Sequence, residues 1–164
     1  MRFYLYLFSI SAALFLCPGC VTSPDFPVEP KIEFVGFTKN QLRQGSINND
    51  STYLIISFED GDGDLGLDES ILETNLIVID NRTEQIYNQY KTPLIPEEGV
   101  GNGVQGEMRI LMFTTCCVFP DNIPPCESPD LYPTNDITFD VFIVDRAGNQ
   151  SNTITTPAIT LLCN

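Results

Sequence analysis

The sequence contains no histidine and no tryptophan, and basic residues are few: 8 Lys+Arg stand against 22 Asp+Glu in 164 residues, a net charge of -14. Without an imidazole there is no Ser-His-Asp or Cys-His pair, no His-ligated zinc and no histidine pH switch. Acid/base chemistry is left to carboxylates. The negative field would repel a polyanion, which excludes nucleic-acid binding. Long apolar runs are scarce as well, and the stretch over residues 3–16 falls short of the roughly 20 residues of a membrane-crossing helix. Long amphipathic helix patterns are missing too, leaving residues 70–74 as a candidate for a single helical turn. What is present is a hydrophobic fraction of 43%, enough for a core in one domain of ordinary size.

The N-terminus carries Arg2, the apolar stretch and then Cys17-Pro18-Gly19-Cys20, the layout of an export signal. The Gly19-Cys20 junction resembles a bacterial lipoprotein cleavage site, with Cys17 standing where that motif usually has Leu. The resemblance implies that residues 1–19 are a lipoprotein signal peptide and that Cys20 becomes the lipidated first residue. Acyl chains would then hold the protein to a membrane, at about 0.8 kcal/mol per buried methylene. Val21 is not the Asp that tends to retain such proteins at the inner membrane, so the resemblance implies an outer membrane location. Residues 20–30, with Pro24, Pro27 and Pro30, read as an extended tether, and residues 31–164 as the folded domain.

Beyond the tether, apolar residues recur with period two: Ile32/Phe34, Leu54/Ile56/Phe58, Leu76/Val78, Met108/Ile110/Met112 and Ile137/Phe139/Val141/Ile143. Each run is short and bounded by turn residues. About seven such strands predict an all-β fold, an antiparallel sandwich. The last segment, residues 152–162, contains Pro157, which predicts an edge or a bulge there. The run Asp136-Ile137-Thr138-Phe139-Asp140-Val141-Phe142-Ile143-Val144-Asp145-Arg146-Ala147-Gly148-Asn149-Gln150-Ser151 resembles the last hairpin of bacterial immunoglobulin-like, fibronectin type III and cadherin-like modules. That resemblance implies an immunoglobulin-like sandwich and no particular activity.

The densest chemistry lies between Glu59 and Glu69, where Asp60, Asp62, Asp64 and Asp68 alternate with Gly61, Gly63 and Gly66. Clustered carboxylates repel one another, and a hard cation relieves the repulsion. Against the calcium loop of EF-hands, Asp60, Asp62 and Asp64 match the first three ligand positions, Gly66 could offer its carbonyl, and Asp68 matches the next carboxylate. Leu65 then stands where that loop needs Gly, and Ile71 where it needs a bidentate Glu. The pattern is closer to the Asp-rich calcium loops of extracellular β modules. In an immunoglobulin-like topology the turn carrying Asp145 and Asn149 lies at the same end, so Asp145 is a further candidate ligand. The competing reading is that Asp-Gly pairs form ordinary turns and that Asp145 caps its own backbone.

Once the signal peptide and Cys20 are set aside, four cysteines remain: Cys116, Cys117, Cys126 and Cys163. An exported compartment oxidises thiols, and four cysteines allow three pairings. The expected arrangement joins Cys116 or Cys117 to Cys126 within a proline-rich loop, and the other adjacent cysteine to Cys163.

These features lead to a non-enzymatic, calcium-stabilised binding or adhesion module anchored to a membrane by lipid, with a protein or glycan as partner. Two alternatives carry different chemistry. A carbohydrate-binding accessory of an outer membrane uptake system would use Tyr53, Tyr87, Tyr90 or Tyr132 against sugar rings. A small glycosidase would use two carboxylates about 5–10 Å apart in a cleft.

Overall fold

A computed structural model describes residues 25–95 and 103–164. The expected signal peptide, the Gly19-Cys20 junction and most of the expected tether lie outside the described residues. Among those described, the chain is all-β, with no helix and with ten strands rather than about seven: β1 (Lys31–Phe37), β2 (Gln41–Arg43), β3 (Ser51–Asp60), β4 (Leu76–Asp80), β5 (Gln85–Tyr90), β6 (Val104–Phe113), β7 (Thr134–Ile137), β8 (Phe139–Ile143), β9 (Ile154–Thr155) and β10 (Ile159–Leu162). They form three sheets, ordered β1-β3-β6, β2-β10-β7 and β5-β4-β8-β9. Every pairing is antiparallel except β2 with β10. The arrangement is compatible with a β-sandwich.

The extra strands have simple origins. β5 has no apolar alternation because it is a sheet edge with mostly exposed side chains, and β2 is only three residues long. The apolar run from Ile137 to Ile143 is interrupted at Thr138, whose carbonyl accepts the Asn81 N–H at 3.1 Å. The two halves also find different neighbours, β7 beside β10 and β8 between β4 and β9. Pro157 falls in the break between β9, an edge strand, and β10. Residues 70–74 form no helical turn. Asp68 accepts both the N–H and the hydroxyl of Ser70, and the Ile71 N–H closes back on the Asp68 carbonyl, so the chain turns once and then extends into β4.

One core draws on all three sheets: Ile32, Leu54, Ile56, Leu76, Val78, Met112, Ile137, Val141, Ile143, Ile159 and Leu161 are all fully buried. Burying apolar surface of this kind contributes roughly 25 cal/mol per Å², so the inward face of each strand sets its register. β3 spans the molecule from the cystine-bearing end, where Ser51 faces Phe113, to the acidic end, where Asp60 faces Val104. At about 3.4 Å per residue the two ends lie some 30 Å apart.

At the cystine-bearing end Cys116 pairs with Cys126, and Cys117 with Cys163. Gln44 bridges the second pair through hydrogen bonds. Its amide donates to the Cys163 carbonyl at 2.6 Å, and its oxygen accepts the Cys117 N–H at 3.0 Å. Arg82, in a two-sided ion pair with Asp80, reaches the Cys116 carbonyl and Asn135, tying the β4–β5 turn to the same loop.

Candidate metal centre

Alternation along β3 turns Leu54, Ile56, Phe58 and then Asp60 to the same inward face. The strand therefore ends by placing a carboxylate where its pattern places core side chains, and Asp60 is 0% exposed. One oxygen, Oδ2, accepts the Leu65 N–H at 3.0 Å. The other, Oδ1, is buried and makes no hydrogen bond. An unpaired buried carboxylate oxygen carries a desolvation cost of about 1–3 kcal/mol or more.

The loop that follows curls back to this carboxylate. Gly63, at φ 71°, and Gly66, at φ 87°, take up the left-handed backbone that an L side chain rarely adopts. The turn brings Asp62 and Asp64 to Asp60, with one carboxylate oxygen from each residue within 4.8 Å of the others. Asp62 is exposed and Asp64 half-buried. Asp64 repeats the pattern of Asp60: one oxygen accepts the Ala147 N–H at 3.0 Å, and the other is buried without a partner. Burial, followed by repulsion from Asp62 and Asp64, pushes the Asp60 carboxyl up to about 7. The same causes, burial first and then the nearby Asp145 and Asp62, raise Asp64 above the usual carboxylate range.

The β8–β9 turn closes the other side. Asp145 is buried, and both its oxygens are engaged by Asn149, one by the backbone N–H at 2.7 Å and one by the side-chain amide at 2.8 Å. It thus acts as the cap of its own turn while adding negative charge beside Asp64. Asp68 stands outside the three-residue group. It is exposed, and hydrogen bonds from Ser70 hold its carboxyl below the ordinary range. The Gly66 carbonyl, a sequence candidate for a ligand, instead accepts from the Arg146 guanidinium at 3.2 Å, as does the Leu65 carbonyl at 3.3 Å.

Two participants were absent from the sequence reading. The Ala147 N–H is a backbone group that no side-chain pattern reports. Arg146 carried a signal, a cation in a turn that the immunoglobulin-like resemblance places at the acidic end, but its hydrogen bonds to the Leu65 and Gly66 carbonyls have no sequence signature.

The segment preceding β1 also belongs to this end. The Gly61 N–H donates to the Pro27 carbonyl at 2.8 Å, and a Cβ at Gly61 would lie 2.7 Å from the same oxygen. Gly103 is similarly close, and a Cβ there would lie 2.7 Å from the Phe26 ring. The chain at Phe26 and Pro27 is thus pinned to the acidic loop. Gly61→Ala is expected to destabilise the fold by about 1–3 kcal/mol, because backbone must move to admit the methyl. Thermal unfolding measures the loss, and limited proteolysis should cut residues 25–30 faster in the variant. An unchanged melt would mean that the contact carries no stability.

Three carboxylates at this spacing, two of them with a buried oxygen that lacks a donor, form an oxygen-rich, anionic cluster, the donor set of a hard cation such as calcium. No family model, no curated protein and no solved structure matches the chain.

Proposed function

We propose that the chain is a non-enzymatic module of the cell envelope, anchored to the outer membrane by lipid on Cys20 and stabilised by calcium at Asp60, Asp62 and Asp64. One observation carries the calcium reading: the Asp60 and Asp64 carboxylates each keep one buried oxygen without a hydrogen-bond donor, on residues grouped with Asp62. A divalent cation would satisfy both oxygens and offset the burial and the repulsion that together raise the Asp60 and Asp64 carboxyls. The ion fits the residues present as a structural brace of the β3–β4 loop, whose Asp64 the Ala147 N–H of the β8–β9 turn already holds, with binding or adhesion as the role of the module.

An immunoglobulin-like sandwich is the finer fold we assign. β7 and β8 are separated by Thr138 alone and read as one bent strand, β9 and β10 as its hairpin partner, and β2 runs parallel beside β10. In that topology the two loops of the cation site share one end of the module. The tyrosines lend less support to a sugar platform. Tyr87 packs on Phe139 at a centroid distance of 4.9 Å and Tyr132 lies beside Phe119 at 6.0 Å, while Tyr53 is exposed on the opposite face of β3 from the core. The acidic oxygens, within 4.8 Å of one another, are also closer than the pair a glycosidase uses.

The test is thermal unfolding of residues 21–164, disulfides intact, in EDTA and across a calcium titration. At ten to a hundred times the dissociation constant, calcium is expected to add about 1.4–2.7 kcal/mol, a rise of about 4–10 °C in a domain of this size. Matched magnesium should do less, since the smaller ion demands stricter octahedral geometry. No shift at about 10 mM calcium, tenfold above the weakest affinities of extracellular modules, would remove the ion from the reading.

A further inference from the structure

We propose that β6 is a self-association edge, along which two copies of the chain pair antiparallel about a two-fold axis at Met108. β6 is ten residues long and, among the described residues, pairs only with β3. An edge of that length presents a row of backbone donors and acceptors, a template for strand addition.

The hydrogen-bond parity of the edge follows from its neighbours. Tyr53, opposite Leu111, turns its N–H and carbonyl to Thr38 on the β1 side, and Thr114 donates to the Asp50 carbonyl at 2.9 Å. The even-numbered residues of β6 therefore bond to β3, and the odd-numbered ones point their backbone groups away from it. The Phe113 carbonyl marks that direction, since it accepts the Tyr87 hydroxyl from the far side. Gln105, Glu107, Arg109 and Leu111 thus direct their N–H and carbonyl groups to the open side.

Charge then selects the register. The side chains of Gln105, Glu107 and Arg109 are all exposed. A symmetric antiparallel pair that joins odd residues to odd residues must be centred on a single residue. Centring on Glu107 or on Arg109 sets like charges directly opposite. Centring on Met108 sets Glu107 of each copy against Arg109 of the other, so both charged pairs are complementary. The same charges that disfavour the neighbouring registers favour this one.

The proposal is independent of any bound ion and is tested with residues 21–164, which include every described strand and both disulfides. Sedimentation equilibrium on the wild type should show a monomer–dimer equilibrium. Glu107→Arg and Arg109→Glu should each weaken it about tenfold, because two attractive cross-strand pairs become repulsive. The double variant Glu107→Arg/Arg109→Glu should restore it to within about threefold, since the pairs are complementary again. In a second arm, Met108→Cys places two thiols across the axis, at the roughly 4.5 Å Cα separation of a non-hydrogen-bonded pair, and mild oxidation should give a covalent dimer. A monomer at every concentration up to about 1 mM, where association is worth only about 4 kcal/mol, overturns the proposal. So does a dimer that ignores the single substitutions, or one that the double variant fails to restore. If the charge variants do not fold, absence of the Met108→Cys crosslink overturns it alone.

Discussion

Replacing Cys117 and Cys163 together by alanine is expected to lower the unfolding free energy by about 4 kcal/mol, and the melting temperature by about 10–15 °C. The bridge spans 46 residues of chain, and the loop-closure entropy withheld from the unfolded ensemble grows with the logarithm of that length. Its position adds to the effect. Cys163 directly follows β10, which lies between β2 and β7, so cutting the bridge frees the end of a strand flanked on both sides. Removing the Cys116–Cys126 bridge, which closes only 10 residues, should cost about 3 kcal/mol. The comparison uses the two double-alanine variants, unfolded in urea, with unchanged m-values required before the energies are compared. Equal losses from the two bridges would show that the long one does not act chiefly on the unfolded chain.

Asp60→Asn should change sign with calcium. Without the ion at pH 8, the variant is expected to be more stable than the wild type by about 1–2 kcal/mol, because it no longer ionises a buried group beside two other carboxylates. The amide oxygen can still accept the Leu65 N–H, and the amide nitrogen would take the place of the unpartnered oxygen. With saturating calcium the order should reverse, because the wild type gains the binding energy and the variant does not. The stability difference between the two proteins then swings by about 3 kcal/mol from EDTA to calcium.

The pH dependence follows from the same group. Folded Asp60 titrates near 7 against an ordinary value of 3.8, so between those values the folded protein holds a proton that the unfolded chain has released. Ion-free stability should therefore fall as pH rises from about 4 to 7 and level off above it. The Asn variant should lack most of that slope, so its advantage over the wild type should shrink as pH falls from about 8 toward about 4. Melts at pH 5 and pH 8, each with EDTA and with calcium, check every part. A variant less stable than the wild type in EDTA at pH 8, or one that keeps the full calcium response, would overturn the assignment of Asp60.

Much of this arrangement is legible locally. The two-residue period through Leu54, Ile56 and Phe58 continues to Asp60, so the burial of that carboxylate is already implied by parity. Gly63 and Gly66 mark the points where the loop must turn, and the cysteine spacing confined the bridges to a few arrangements. Period, turn chemistry and loop length depend on residues close in sequence, and they established an all-β chain with an acidic loop at a strand end.

What remained hidden depends on the conformation each loop adopts and on partners distant in sequence. Nothing in the residues around Thr138 announces that its carbonyl will meet Asn81 and divide one apolar run into two strands. Asp145 reads equally well as a ligand or as a cap, and only the approach of Asn149 commits both of its oxygens. Asp68 has the spacing of a ligand, but the turn it makes with Ser70 draws it out of the group. Arg146 finds the Leu65 and Gly66 carbonyls across about 80 residues of chain, a contact that exists because burial of the shared core brings the two loops to one end. Side-chain type and spacing specify which groups can bind a cation. Which of their oxygens stay unpaired is settled by loop conformation and long-range packing together, because hydrogen-bond partners are allotted only when the loops fold and the sheets close on the core.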